Sequence, residues 1–168
     1  RFWNAVQGCI GAFNLGRARA FDQLTASLRE MHSAQDGFAG TASLLINLRL
    51  PPGLTAAQAV ELLRREAADG GLRLLDALEC FQASKNSPLV RAFLPAIRAQ
   101  GGQPAFVVKT GTSDMNIVGP AWEIPILAYG PGDSTLDHTP DEHIVIEEYL
   151  AGIRVLADAL ERLQTPAA

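Results

Sequence analysis

His138 is the first residue whose chemistry stands out. A neutral imidazole is a nitrogen donor of the kind zinc prefers, and this one lies in a polar stretch with Asp137 before it and Asp141 after it. A single loop histidine also serves as a solvated or capping group, so spacing leaves both roles open. His143 lies in the same stretch and His32 far from it; no HExxH or CxxC pattern builds a metal site from one segment. A second set is Gly111, Thr112 and Ser113. Their backbone N–H groups and hydroxyls suit a carboxylate or a developing oxyanion at a helix start, or simply an N-cap. Asp114 reads first as the cap of that helix and second as a ligand contact. Arg49, two residues from Asn47, brings a planar guanidinium that either grips an anionic group or keeps a strand solvated. Ser134 has no histidine in triad order to make it a nucleophile.

These residues need elements to place them. Ala42, Leu44, Ile46, Leu48 and Leu50 alternate with Ser43, Leu45, Asn47 and Arg49, so Asn47 and Arg49 share the polar face of a strand over 41–50. A strand over 24–33 precedes it, and Asp36-Gly37 makes the pair a hairpin. Phe2, Trp3, Val6, Ile10 and Phe13 recur at helical spacing, predicting an opening helix that fades near Gly16. No cap precedes that helix, which predicts that the natural chain continues upstream. Thr55 and Gln58 form a capping box for a helix to about Ala68, and Gly70-Gly71 stops it before a strand over 72–81. The order α-β-β-α-β is one upstream strand short of a split βαβ, ferredoxin-like sandwich.

Beyond Lys85-Asn86 the pattern changes. Ser87 and Pro88 supply an N-cap and first-turn proline for a helix ending at Gly101-Gly102, with Pro95 expected to kink it. Short buried strands are expected over 105–108 and 124–129, as parallel strands of an α/β layer. The polar segments from Thr110 to Asn116 and from Gly130 to His143 each follow one of them, where the ligand crevice of an open sheet lies. Glu147 opens a final helix with Leu150, Ile153, Leu156, Leu160 and Leu163 as its core face. Two strands cannot make a covered α/β sheet, so both halves are expected to be carboxyl-side parts of a larger protein.

Composition narrows the function classes. Of 168 residues 48% are hydrophobic and 19% charged, with a net charge of -4, and the basic residues are scattered rather than clustered for phosphate contacts. A nucleic-acid partner is therefore not expected. No apolar run approaches the roughly 20 residues of a membrane span, and residues 1–15 lack the apolar segment of a signal peptide. Cys9 and Cys80 form no disulfide framework, as suits a reducing, cytoplasmic setting.

Two runs carry a family resemblance: Lys109-Thr-Gly-Thr-Ser-Asp-Met-Asn116, and the stretch from Ala128 to Ile144 that contains Gly-Pro-Gly-Asp-Ser-Thr-Leu-Asp-His-Thr-Pro-Asp-Glu-His. They resemble the metal-dependent acetylornithine deacetylase and succinyl-diaminopimelate desuccinylase family, relatives of the aminoacylases and glutamate carboxypeptidases. Within it they are most similar to hydrolases that free lysine or ornithine from a small acidic amino-group carrier protein, in lysine and arginine biosynthesis. The resemblance implies an α/β fold in two parts. Residues 1–82 would be most of an inserted ferredoxin-like α+β lid and dimerisation domain, and 83–168 the carboxyl-terminal part of a zinc-peptidase-like catalytic domain.

It also implies roles. His138 matches the last metal ligand of an H-[ST]-x-[DE]-E motif; Gly111, Thr112 and Ser113 match a substrate-facing turn; Asn47 and Arg49 resemble a lid strand whose arginine grips a substrate carboxylate. The parent enzyme would hold two divalent ions, zinc or cobalt, and use a glutamate base to deprotonate water. That base, the HxD motif, the next acidic ligand and the lid histidine are all absent from this chain, which alone is expected to be inactive. A homodimer through the lid and a small acidic amino-group carrier protein that bears the substrate are the implied partners; the sequence leaves open whether the carrier docks on Arg17, Arg19 and Arg91. Acetylornithine deacetylase, succinyl-diaminopimelate desuccinylase and a non-catalytic ferredoxin-like binding or dimerisation module are the rival readings.

Overall fold

A computed structural model describes residues 1–67 and 70–164, which form two compact units. The first comprises Arg1–Gln82 as far as it is described, together with Val108–Ile117; the second comprises Ala83–Val107 and the described residues from Val118 onward.

In the first unit, helix α1 (Phe2–Phe13) is followed by a short 3-10 turn (Ala20–Asp22), strands β1 (Thr25–Gln35) and β2 (Gly40–Arg49), and helix α2 (Ala56–Arg64). The spacing of Val6 and Ile10 puts both on the buried side of α1, where they join Leu24 and Leu63 in one core. Asn14 closes the end of α1 against the hairpin. Its side-chain amide donates to the Leu24 carbonyl at 2.8 Å and its oxygen accepts the Leu24 N–H at 2.9 Å, which satisfies the backbone of a fully buried residue.

The hairpin turn is built by Asp36, whose carboxylate accepts the N–H groups of Ala39 at 2.8 Å and Phe38 at 3.0 Å, while Gly37 takes φ 93°. These bonds, that of Ala39 foremost, hold the Asp36 carboxyl below its ordinary range. The strands pair antiparallel with a bulge between Leu28 and Glu30. That extra residue resets the alternation, so Leu28 opposite Ile46 and Met31 opposite Leu44 fall on one face despite their odd spacing. Helix α2 begins as expected: the Thr55 hydroxyl accepts the Gln58 N–H and the Gln58 side chain accepts the Thr55 N–H. It ends at Arg64; the expected terminus at Ala68 lies outside the described residues.

The expected strand over 72–81 forms no ladder. In a split βαβ sheet its neighbour is the very strand whose place the sequence left empty, and a strand without a partner has nowhere to send its backbone hydrogen bonds.

The second unit is built on α3 (Pro88–Ala99) and α5 (Ile146–Gln164); α4 (Met115–Trp122) runs across the boundary in sequence. Ser87 caps α3 by accepting the Val90 N–H at 3.2 Å, with Pro88 in the first turn, and Pro95 lies within the helix. Ala92, Phe93 and Ala96 of α3 pack on Val155 and Ala159 of α5, with the Phe93 ring tilted against Tyr129 at 5.3 Å.

Here two expectations are corrected. The segments 105–108 and 124–129 form no strand pairs, and Val107 (80% exposed) and Ile124 (57%) are not buried, since the described residues provide no neighbouring strand to cover them. On α5 the buried stripe is Gly152, Val155 and Ala159, whereas Leu150, Ile153, Leu156, Leu160 and Leu163 stay partly open. Val155 and Ala159 pack against Ala92, Phe93 and Ala96 of α3 while Gly152 faces Pro131, and this leaves the leucines on the flank.

Candidate functional site

In the first unit, alternation along β2 does what its sequence requires: Leu44, Ile46, Leu48 and Leu50 are half-buried, whereas Asn47 and Arg49 face solvent. Asn47 lies opposite Ser27 in register. The Arg49 guanidinium reaches the turn 110–113, where Nη1 donates to the Thr110 hydroxyl at 3.2 Å. Arg49 and the turn carrying Gly111, Thr112 and Ser113 are thus neighbours in one unit, 61 residues apart in sequence.

Within that turn the donors divide. The Ser113 N–H is taken by Asn116 Oδ1 at 2.9 Å, and the Ser113 hydroxyl accepts the Met115 N–H at 3.3 Å, so Ser113 rather than Asp114 caps α4. Ser113 therefore offers a hydroxyl proton but no free backbone donor. Among the described residues the N–H groups of Gly111 and Thr112 meet no protein acceptor. Space above Gly111 is open, for a Cβ there would meet nothing within 4 Å. A pair of free amide donors, a hydroxyl and a nearby guanidinium can receive an anionic or strongly polarised oxygen.

In the second unit the loop 130–143 is a chain of tight turns. Asp133 accepts the Thr135 N–H and hydroxyl, each at 2.8 Å; the backbone bond chiefly, with His143 adding a smaller effect, keeps its carboxyl low. The Leu136 N–H returns to the Asp133 carbonyl, and Thr139 bonds the Leu136 carbonyl through both its N–H and its hydroxyl. His138 sits at the crest, exposed, with φ 64°, a left-handed conformation that a non-glycine residue holds only when its surroundings insist. What insists is Glu142, whose carboxylate accepts the His138 N–H at 2.8 Å. Glu142 stands four residues on, in the same His-Thr-Pro-Asp-Glu run, so its hold on His138 was visible only as motif spacing.

Among the described residues no three His, Cys, Asp or Glu side chains gather as a metal-binding group. A lone exposed imidazole cannot hold an ion in a catalytic geometry, which takes about three protein ligands for zinc. The residues present do not make up a metal centre, and no chemical step is assigned to one. Among them, too, no helix is long and apolar enough to cross a membrane.

The arrangement of helices and strands is that of a known class. It superimposes on the crystal structure of an M20 family metallo-carboxypeptidase, Sso-CP2 from Sulfolobus solfataricus, with a TM-score of 0.68 over 92% of this chain and 42% of that one, at 19% identity. Residues 53–162 match the model of peptidase family M20/M25/M40, and the chain belongs to that family. Its sequence is 42% identical over 166 residues to a LysW-lysine hydrolase from Deinococcus radiodurans, covering 96% of this chain and 46% of the relative. It is 38% identical over 93 residues to a LysW-lysine/LysW-ornithine hydrolase from Saccharolobus islandicus, covering 55% of this chain and 27% of that protein. The chain spans less than half the length of the curated relatives it matches.

Proposed function

We propose that this chain is part of a metal-dependent amide hydrolase that releases lysine or ornithine from the carrier protein LysW. One observation carries the reading: likeness to the Deinococcus LysW-lysine hydrolase runs through nearly the whole chain, both polar loops included. In this reading Arg49 and Asn47 meet the substrate's charged end. Gly111, Thr112 and Ser113 present donors to it or to the carbonyl under attack. His138, held at its crest by Glu142, contributes one metal ligand. The other ligands of a two-ion zinc or cobalt site, and the glutamate base, belong to the part of the relatives' length that this chain does not span. Residues 1–82 would act as the lid through which two copies pair, and the small acidic carrier protein would bring the substrate amide.

The test is a substrate panel on the full-length protein supplied with zinc or cobalt: LysW-linked lysine, LysW-linked ornithine, acetylornithine and succinyl-diaminopimelate. Turnover of a carrier-linked amide at least tenfold above the two small amides supports the reading. Preference for either small amide moves the chain to that activity, and no turnover of any of the four refutes it.

A further inference from the structure

We propose that Asn116 is a positioning residue that sets the shape of the turn 110–113, a role that rests on the reading of that turn as substrate-facing. Its amide spends its two ends on two partners, one local and one distant. Oδ1 accepts the Ser113 N–H at 2.9 Å, and Nδ2 donates to the Glu79 carbonyl at 2.8 Å, 37 residues away in sequence. The orientation is unambiguous, because an N–H can only donate and a carbonyl can only accept. Glu79 is itself anchored, its carboxylate accepting the Ala56 N–H at 3.0 Å in the first turn of α2. A continuous path of hydrogen bonds therefore runs from α2 through Glu79 and Asn116 to one end of the turn, while Arg49 of β2 holds Thr110 at the other.

Two features separate this from ordinary helix capping. A cap needs only the oxygen: a side chain three residues into a helix that accepts the N–H of the capping residue completes a capping box. The second bond, to Glu79, adds nothing to the cap and ties the turn to another part of the unit. Moreover, Gly111 and Thr112 have no packing above them, so side-chain tethers at the two ends must fix where their free N–H groups point. By taking up the Ser113 N–H, Asn116 also decides which amides remain for a ligand: those of Gly111 and Thr112.

The test compares Asn116→Asp, Asn116→Ala and wild type in the full-length protein. Aspartate keeps the acceptor for the Ser113 N–H and so keeps the cap, yet sets a carboxylate against the Glu79 carbonyl and breaks the tether. Asn116→Asp should lose about 10- to 100-fold in kcat/KM with the loss mainly in kcat, since donors misplaced by an ångström forfeit that much alignment. Its melting temperature should stay within about 3 °C of wild type. Backbone order parameters at Gly111 and Thr112 should fall in both variants, a readout that needs no substrate. Asn116→Asp with kcat/KM within twofold of wild type overturns the positioning role and leaves a plain cap. Unchanged order parameters at Gly111 and Thr112 overturn the tether itself. If wild type hydrolyses none of the four amides, the hydrolase reading fails separately, and the order parameters alone decide the tether.

Discussion

Replacing Arg49 by alanine is the sharpest probe of the first unit, because it separates the bond its guanidinium makes in the structure from the substrate grip proposed for it. One is the bond to Thr110 at 3.2 Å, between exposed groups. Water competes for both partners, so losing that bond with nothing repulsive set in its place costs under about 1 kcal/mol, at most roughly fivefold in a rate that depends on it. The other is a direct grip on a substrate carboxylate, whose loss costs on the order of 1.5 to 3 kcal/mol, or roughly 10- to 150-fold. Arg49→Ala in the full-length protein should therefore lower kcat/KM by roughly 10- to 150-fold, chiefly through KM, because a carboxylate away from the reacting bond is held equally in ground and transition states. Thr110→Val should lower it by no more than about fivefold. The assay is steady-state kinetics on the preferred amide, with circular dichroism to show that both variants fold. In the double variant the loss should match that of Arg49→Ala alone, since that substitution already removes the bond to Thr110 together with the grip. If Arg49→Ala costs no more than Thr110→Val and the double variant no more than either, Arg49 acts only on the turn and the grip is refuted. Unchanged kinetics would return Arg49 to a solvating role.

His138→Ala in the full-length protein should remove one metal ion by elemental analysis and most of the turnover; metal content and rate within about twofold of wild type would sink the ligand assignment, since even an outer partner commonly costs 10-fold or more. Asp36 and Asp133 both have carboxyls held below the ordinary 3.8, so their bonds to the loop amides persist above that value and are lost as pH falls through the lowered one. The Phe38, Ala39 and Thr135 amide resonances should accordingly shift only below that ordinary value, and a midpoint at or above it contradicts the geometry. Ala96→Leu should overfill the contact of α3 with α5, where Ala96 is fully buried, and lower stability by about 1–3 kcal/mol in denaturant melts; an unchanged midpoint would show a looser interface. Residues 1–168 expressed alone should hydrolyse none of the four amides above a metal-buffer blank, because no three ligands gather among the described residues.

Local chemistry was legible wherever its partners lie within one turn of chain. The capping box of Thr55 and Gln58, the Ser87-Pro88 start of α3 and the Asp36-Gly37 turn are all decided within four residues, and all three form as their types require. The β2 alternation was equally readable, and it correctly put Asn47 and Arg49 on the solvent side. Pairing across the chain was not. The segments 72–81, 105–108 and 124–129 have strand-like composition, but a strand is defined by a neighbour, and composition does not say whether the neighbour is present. On α5 the leucines made the louder periodic signal, yet the buried stripe is the quieter one, Val155 and Ala159 against α3 and Gly152 against Pro131.

The candidate site divides along the same line. Gly111, Thr112 and Ser113 were picked as a set because a turn before a helix start offers donors, but the set is unequal: one backbone donor of the three is already spent on Asn116. Neither Thr110 nor Asn116 carried a signal of its own, for a threonine and an asparagine near a helix start are ordinary turn and capping residues. Their importance comes from Arg49 and Glu79, 61 and 37 residues away, which the fold brings within 3.2 Å and 2.8 Å of them. His138 is the converse case. Its motif made it conspicuous, whereas the carboxylate that holds its unusual backbone, Glu142, was one acidic residue among several in the loop. In both halves the candidate residue could be picked from its type, and the residue hydrogen-bonded to it could be found only from a distance in ångströms.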